Sequence, residues 1–136
     1  MPVRLGIVCA EFNPKITSRM LERAKVYAKK SNAKISKIIS VPGSFDAPIA
    51  IQALLRREDV DAVVVLGAII KGETKHDEVI AHALASAMVQ LSLTHGKPVT
   101  LGVSGPGMTE RQARARIDEY AKRSVEAAVA LVSNLP

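Results

Sequence analysis

The chain has no tryptophan and only two phenylalanines and two tyrosines, so aromatic residues make up 3% of it. Its core must therefore be packed from Val, Ile, Leu, Ala and Met, and few rings remain to stack on nucleic-acid bases. A single cysteine, Cys9, excludes an internal disulfide and fits a reducing compartment; within a strand it reads as a small apolar side chain. Apolar stretches fall far short of a membrane span and no signal-like run precedes the first strand. The expected setting is cytoplasmic, with no membrane partner. No His, Cys, Asp or Glu group has metal-ligand spacing. The phosphate loop G-x-x-x-x-G-K-[ST] and the serine elbow G-x-S-x-G are missing. GVSGPG, Gly102 to Gly107, is not the dinucleotide fingerprint G-x-G-x-x-G, and it follows the last strand rather than the first.

What is present is 136 residues, 48% hydrophobic and 24% charged, which suits one globular domain spanning residues 1–136. The formal charge is +6, but Lys and Arg are dispersed in runs no longer than pairs, such as Lys29-Lys30 and Arg56-Arg57. That pattern reads as solvated helix faces rather than a nucleic-acid surface. A basic surface equally attracts a small phosphorylated molecule.

Apolar runs and helical periods alternate four times. Val3–Cys9 reads as a buried strand, and Asn13 caps a helix with Pro14 at its first position, where a missing N–H costs nothing. Ile16, Met20, Leu21, Ala24 and Ala28 form its buried face. Lys34–Val41 is a second strand, with Ser36 and Lys37 marking an edge; Ser44 caps a helix from Phe45 to about Arg57. Asp61–Ile70, the most apolar strand, belongs in the centre. Thr74 and Asp77 have capping-box spacing before a helix with Val79, Ile80, Ala83, Leu84, Met88 and Leu91 on its period. Val99–Val103 is the fourth strand, and Thr109 with Gln112 opens a last helix burying Ala113, Ile117, Ala121, Ala128, Val129 and Val132. Strands alternating with such helices imply right-handed crossovers and a four-stranded parallel sheet in a three-layer α/β/α sandwich.

Ligands of such sheets bind beyond the carboxyl ends of the strands, near the topological switch point. Four loops meet there: Glu11 to Asn13, Gly43 to Asp46, Ile70 to His76, and Ser104 to Met108. Both phenylalanines, Phe12 and Phe45, sit at strand ends beside polar residues, which favours exposed platforms for a flat ring over a core role. Gly72-Glu73-Thr74 reads either as an anion site made of backbone N–H groups or as plain helix capping. His76 follows on the same turn: a proton donor and acceptor, or an ordinary surface histidine.

AEFN after the first strand, VPGSFDAPIA after the second, GAIIKGETKHDEV after the third and PVTLGVSGPG in the fourth unit, taken in order, resemble lumazine synthase, and more closely its archaeal branch. The resemblance covers the whole chain and implies a flavodoxin-like fold. It implies condensation of 5-amino-6-(D-ribitylamino)uracil with 3,4-dihydroxy-2-butanone 4-phosphate to 6,7-dimethyl-8-ribityllumazine, releasing inorganic phosphate, without cofactor or metal. By motif, Phe12 would stack on the pyrimidine, Asn13 would belong to the substrate-binding set, Ser44, Phe45 and Asp46 would hold the ribityl chain, and Ala68, Ile69 and Ile70 would line the pyrimidine pocket. Gly72, Glu73, Thr74 and Arg116 would hold phosphate, with Arg123 or Lys122 as a further cation, and His76 would transfer protons. Leu101 stands where bacterial relatives carry phenylalanine, Asp46 stands for their glutamate, and the extra N-terminal strand of many relatives has no counterpart before Val3. The resemblance also implies a homo-oligomer, a pentamer or a multiple of one, with sites between subunits. Its paralogue, the archaeal type of riboflavin synthase, lacks the G-E-T-x-H element that is intact here. A flavin or pterin carrier would keep the pocket without turnover.

Overall fold

Short β-branched runs bounded by turns give the strands. In the computed structural model, which describes all 136 residues, the elements run β1 (Val3–Ala10), α1 (Pro14–Lys30), β2 (Ala33–Val41), α2 (Ala47–Leu55), β3 (Ala62–Ile70), α3 (His76–His95), β4 (Val99–Met108), α4 (Glu110–Ala115) and α5 (Ile117–Asn134). A 3-10 turn over Ser44–Asp46 leads into α2. All strand pairings are parallel, in the order β2-β1-β3-β4. β3 lies inside and is buried from Ala62 to Ile69, whereas β2 at one edge turns Lys34 and Lys37 to solvent.

Because successive strand side chains point to opposite faces, the sheet splits the apolar residues into two cores. Leu5, Ile7, Val64 and Leu66 pack with Ile16, Met20 and Ala24 of α1 and Ala121 and Val125 of α5. Val8, Val63, Val65 and Val103 pack with Ile51 and Leu54 of α2 and Leu84 and Met88 of α3. This is the three-layer α/β/α sandwich expected of a flavodoxin-like chain. At the amino ends of the strands, Arg4 makes two hydrogen bonds to Asp61 through its guanidinium, at 3.1 and 2.9 Å, and a third through its backbone N–H at 2.8 Å. These bonds hold the Asp61 carboxyl below the usual carboxylate range.

Several local expectations give way to tertiary contacts. Asn13 occupies the cap position of α1 but lies in the left-handed region, φ 64°, and its side chain makes no capping bond. Ser44 is buried and caps nothing; Asp46 Oδ2 instead accepts the Gly43 N–H at 3.0 Å. Thr74 and Asp77 form no capping box, since α3 starts at His76 and the Asp77 carboxylate bonds elsewhere. β4 extends five residues beyond Val103, so Ser104–Met108 is strand, with Met108 still paired to Ile70. The last helix breaks at Arg116, where φ is −109°, and Ser124 and Val125 are buried while Val129 and Val132 are only half-buried. The Thr109–Gln112 capping box does form, with bonds of 3.2 and 2.9 Å.

α3 buries little of its apolar surface. Leu84 and Met88 reach the core, but Val79, Ala83, Val89 and Leu93 are exposed, and Val89 and Leu93 lie beside the exposed Leu101 of edge strand β4. No helix is long and apolar enough to cross a membrane.

Candidate active site

The strand order reverses direction between β1 and β3, and the carboxyl ends of these strands open a crevice. A cavity of about 460 Å³ lies there, lined by residues that follow β1, β2 and β3.

The first wall is set by backbone bonding. The Glu11 and Phe12 N–H groups donate to the carbonyls of Val41 and Pro42 at 2.8 and 2.9 Å, which draws the loop after β1 against the loop after β2. Phe12 and Phe45 thus line one cavity, and both rings are largely exposed, at 68% and 61%. Asn13 does not line it, but its Nδ2 donates to the Ala68 carbonyl at 3.0 Å, tying the Phe12 loop to the end of β3.

Gly67 makes room for the second wall. A Cβ at this position would lie 2.7 Å from Ser44 Oγ and 3.3 Å from Ala10 Cβ, so glycine lets the Ser44–Asp46 turn settle on β3 without displacing the serine side chain. Ser44, Phe45 and Asp46 then face Ala68, Ile69 and Ile70 across the cavity.

The third wall is the segment from Lys71 to Asp77. The Lys71 N–H donates to the Met108 carbonyl at 2.8 Å, and the His76 N–H donates to Thr74 Oγ1 at 3.4 Å. The N–H groups of Gly72, Glu73 and Thr74 donate to nothing within the chain. Gly72, Thr74 and His76 line the cavity; Glu73, between them, does not. A Cβ on Gly72 would meet no atom, so an incoming group has free access to this backbone.

Leu101, Arg116 and Arg123 are not brought to the cavity of their own chain. Leu101 lines a separate apolar groove with Val89 and Leu93. Arg116 Nη1 donates to the Gln112 carbonyl at 3.1 Å, Arg123 pairs with Glu119 at 3.2 Å, and Lys122 stands over the Tyr27 ring. Gly43, expected only as part of the loop running to Asp46, also lines the cavity, and two lining residues lie outside the sequence reading of the site: Asp77 and Ile80. In the sequence Ile80 belongs to a helical period and Asp77 to cap spacing, and neither pattern points to a ligand. Cys9 is no nucleophile for this site, because burial pushes its thiol up to about 11.

The arrangement offers two exposed rings to a planar heterocycle, a hydroxyl and a carboxylate to a polyol, and unpaired N–H donors to an anion. An imidazole stands within the same cavity. Fold and cavity together define a doubly wound α/β protein with a small-ligand site at its switch point. The profile of the 6,7-dimethyl-8-ribityllumazine synthase family matches residues 2–135. The chain is 56% identical to the 6,7-dimethyl-8-ribityllumazine synthase of Saccharolobus islandicus strain L.S.2.15 over 130 residues, 96% of this chain and 84% of the relative. It is 53% identical to that of Metallosphaera sedula over 133 residues, covering 98% and 88%, and 49% identical to that of Sulfolobus acidocaldarius over 133 residues, covering 98% and 84%. The chain belongs to the lumazine synthase family, in its archaeal branch, and is an enzyme of the transferase class.

Proposed function

We propose that the chain condenses 5-amino-6-(D-ribitylamino)uracil with 3,4-dihydroxy-2-butanone 4-phosphate to 6,7-dimethyl-8-ribityllumazine, releasing phosphate and water, in a cytoplasmic setting. The observation that carries this reading is the convergence of Phe12, Phe45, Gly72, Thr74 and His76 on one cavity from three different loops. Phe12 stacks on the pyrimidine against the Ala68–Ile70 wall, and the Ser44 hydroxyl and Asp46 carboxylate receive the ribityl hydroxyls. The free N–H groups of Gly72, Glu73 and Thr74 hold the phosphate, where donors aimed at a leaving group stabilise its developing charge.

Imine formation, phosphate elimination and ring closure each move protons, and His76 carries them beside the phosphate. General acid–base transfer contributes about 10²- to 10⁴-fold, less than alignment of two reactive molecules can supply, so His76 accelerates a reaction that proximity already favours.

The site is completed by a second subunit in a pentamer or a multiple of one. Support comes from the outward apolar face of Val89, Leu93 and Leu101, and from Arg116 and Arg123 lying off the cavity of their own chain. Leu101, Arg116 and either Arg123 or Lys122 then serve the neighbour's cavity.

The test is lumazine absorbance after mixing both substrates with wild type and His76→Ala. Wild type should exceed the uncatalysed rate, and the variant should lose about a hundredfold in kcat with smaller changes in KM. A wild-type rate equal to background would overturn the reading.

A further inference from the structure

Asp77 is the least exposed charged residue of the chain, at 6%, and it lines the cavity next to His76. It does not cap its own helix; Oδ2 accepts the Gly107 N–H at 2.8 Å, thirty residues on in sequence. At the other end of the same segment, the Lys71 N–H donates to the carbonyl of Met108, the residue after Gly107. The loop carrying Gly72, Glu73, Thr74 and His76 is therefore pinned at both ends to adjacent residues of β4. Between the pins, the Lys75 carbonyl accepts the Glu78 and Val79 N–H groups of α3, and Gly72 to Thr74 are tied only by the 3.4 Å bond from the His76 N–H to Thr74 Oγ1.

The β4 end is itself shaped for this approach. At Gly105, φ is +102° and a Cβ would stand 2.2 Å from the Ile69 carbonyl oxygen, so the two backbones come together only without a side chain there. Gly107 is also left-handed, φ +73°. The buried carboxylate sits in the first turn of α3, where the helix N-terminus favours negative charge, but that attraction alone would not require burial against β4.

We propose that Asp77 is a positioning residue: by accepting the Gly107 N–H it closes the Lys71–His76 loop onto β4 and sets the spacing between the phosphate-holding N–H groups and the His76 imidazole. The substrate named here rests on the function proposed above; the loop geometry does not. Asparagine at this position retains an acceptor oxygen of the same reach, whereas alanine leaves the Gly107 N–H unpaired.

The experiment compares wild type, Asp77→Ala and Asp77→Asn by hydrogen exchange across residues 67–78 and 105–109, by inorganic phosphate affinity, and by KM for each substrate. Losing a bond to a charged acceptor predicts faster exchange in both segments and about tenfold weaker phosphate binding for the alanine variant. KM for the butanone phosphate should rise by about the same factor while KM for the pyrimidine stays within about twofold, and asparagine should recover most of each loss. Asparagine as impaired as alanine, or equal effects on both substrates, would overturn the proposal. Exchange and phosphate affinity need no turnover, so they decide the matter even if wild type makes no lumazine.

Discussion

The side-chain amide of Asn13 donates to the backbone carbonyl of Ala68 across fifty-five residues of sequence, at 3.0 Å. It spans the gap between the two strands whose carboxyl ends form the crevice, and it fixes the loop that carries Phe12. Asn13 combines this bond with a left-handed backbone, φ 64°, which asparagine tolerates better than most residues. Asn13→Gly keeps the conformation and loses the bond, for about 1 kcal/mol. Asn13→Ala loses the bond and adds roughly 1 kcal/mol of backbone strain. Urea midpoints should fall in the order wild type, glycine, alanine, and KM for the pyrimidine should rise in both variants.

The proposal that the site is shared between subunits makes a separate prediction. His76→Ala and Arg116→Ala are each expected to be nearly inactive alone, but chains co-expressed in equal amounts should regain activity. Random head-to-tail assembly pairs an intact cavity with an intact arginine at about a quarter of the interfaces. Mixed assemblies as inactive as the separate variants would show that both groups act within one chain.

Cys9 is buried, with its thiol pushed up to about 11, first by burial and then by the nearby Glu11 carboxylate. The thiolate fraction at neutral pH is accordingly very small, and the sulfur is shielded as well. A thiol-specific chromogenic reagent at pH 7.5 should leave the native protein unmodified and report one thiol per chain in denaturant.

The Arg4–Asp61 pair gives a pH dependence of known sign. The folded-state carboxyl of Asp61 is lowered by its bonds to Arg4, so its contribution is present above the unfolded value of about 3.9 and is lost as pH falls through the folded value. Asp61→Asn should therefore destabilise the protein at pH 7. Its denaturant midpoint should converge on wild type as pH drops below about 4, read by far-ultraviolet circular dichroism. A difference that grows under acid would contradict the pairing.

The sheet was legible because its signal is periodic. Val3–Cys9 and Asp61–Ile70 are short apolar runs ending in turns, which marks both as buried strands, and the central placement of Asp61–Ile70 follows from its apolarity alone. The gathering of Phe12, Ser44 and His76 followed from topology, since a doubly wound sheet brings three strand ends together. Capping was misread wherever a short polar side chain had a distant use. Asn13 serves Ala68, Asp77 serves Gly107, and Ser44 fills the space beside Gly67. A cap is a local inference, and those partners lie 23 to 55 residues away in sequence. The break at Arg116 carries no glycine or proline to announce it. Val79 and Ala83 share the helical period of Leu84 and Met88 yet are exposed, because periodicity identifies a helix without saying whether each apolar residue meets the sheet or points outward.

The scarcity of rings in the interior has a practical consequence for magnetic resonance. Both core clusters are built from aliphatic side chains, and both phenylalanine rings stand over the cavity. Ring-current shifts are short-ranged, so methyl groups of the core beneath α2 and α3, against which no tyrosine packs, should resonate close to their random-coil positions, whereas those of the core beneath α1 and α5 lie near Tyr27 and Tyr120. The methyls of Ile70 and Ile80, which share the cavity with Phe12 and Phe45, should move instead. On the α2 and α3 side a methyl spectrum would then be quiet except at the site, and the arrival of a flat heterocycle between the rings would be seen there first.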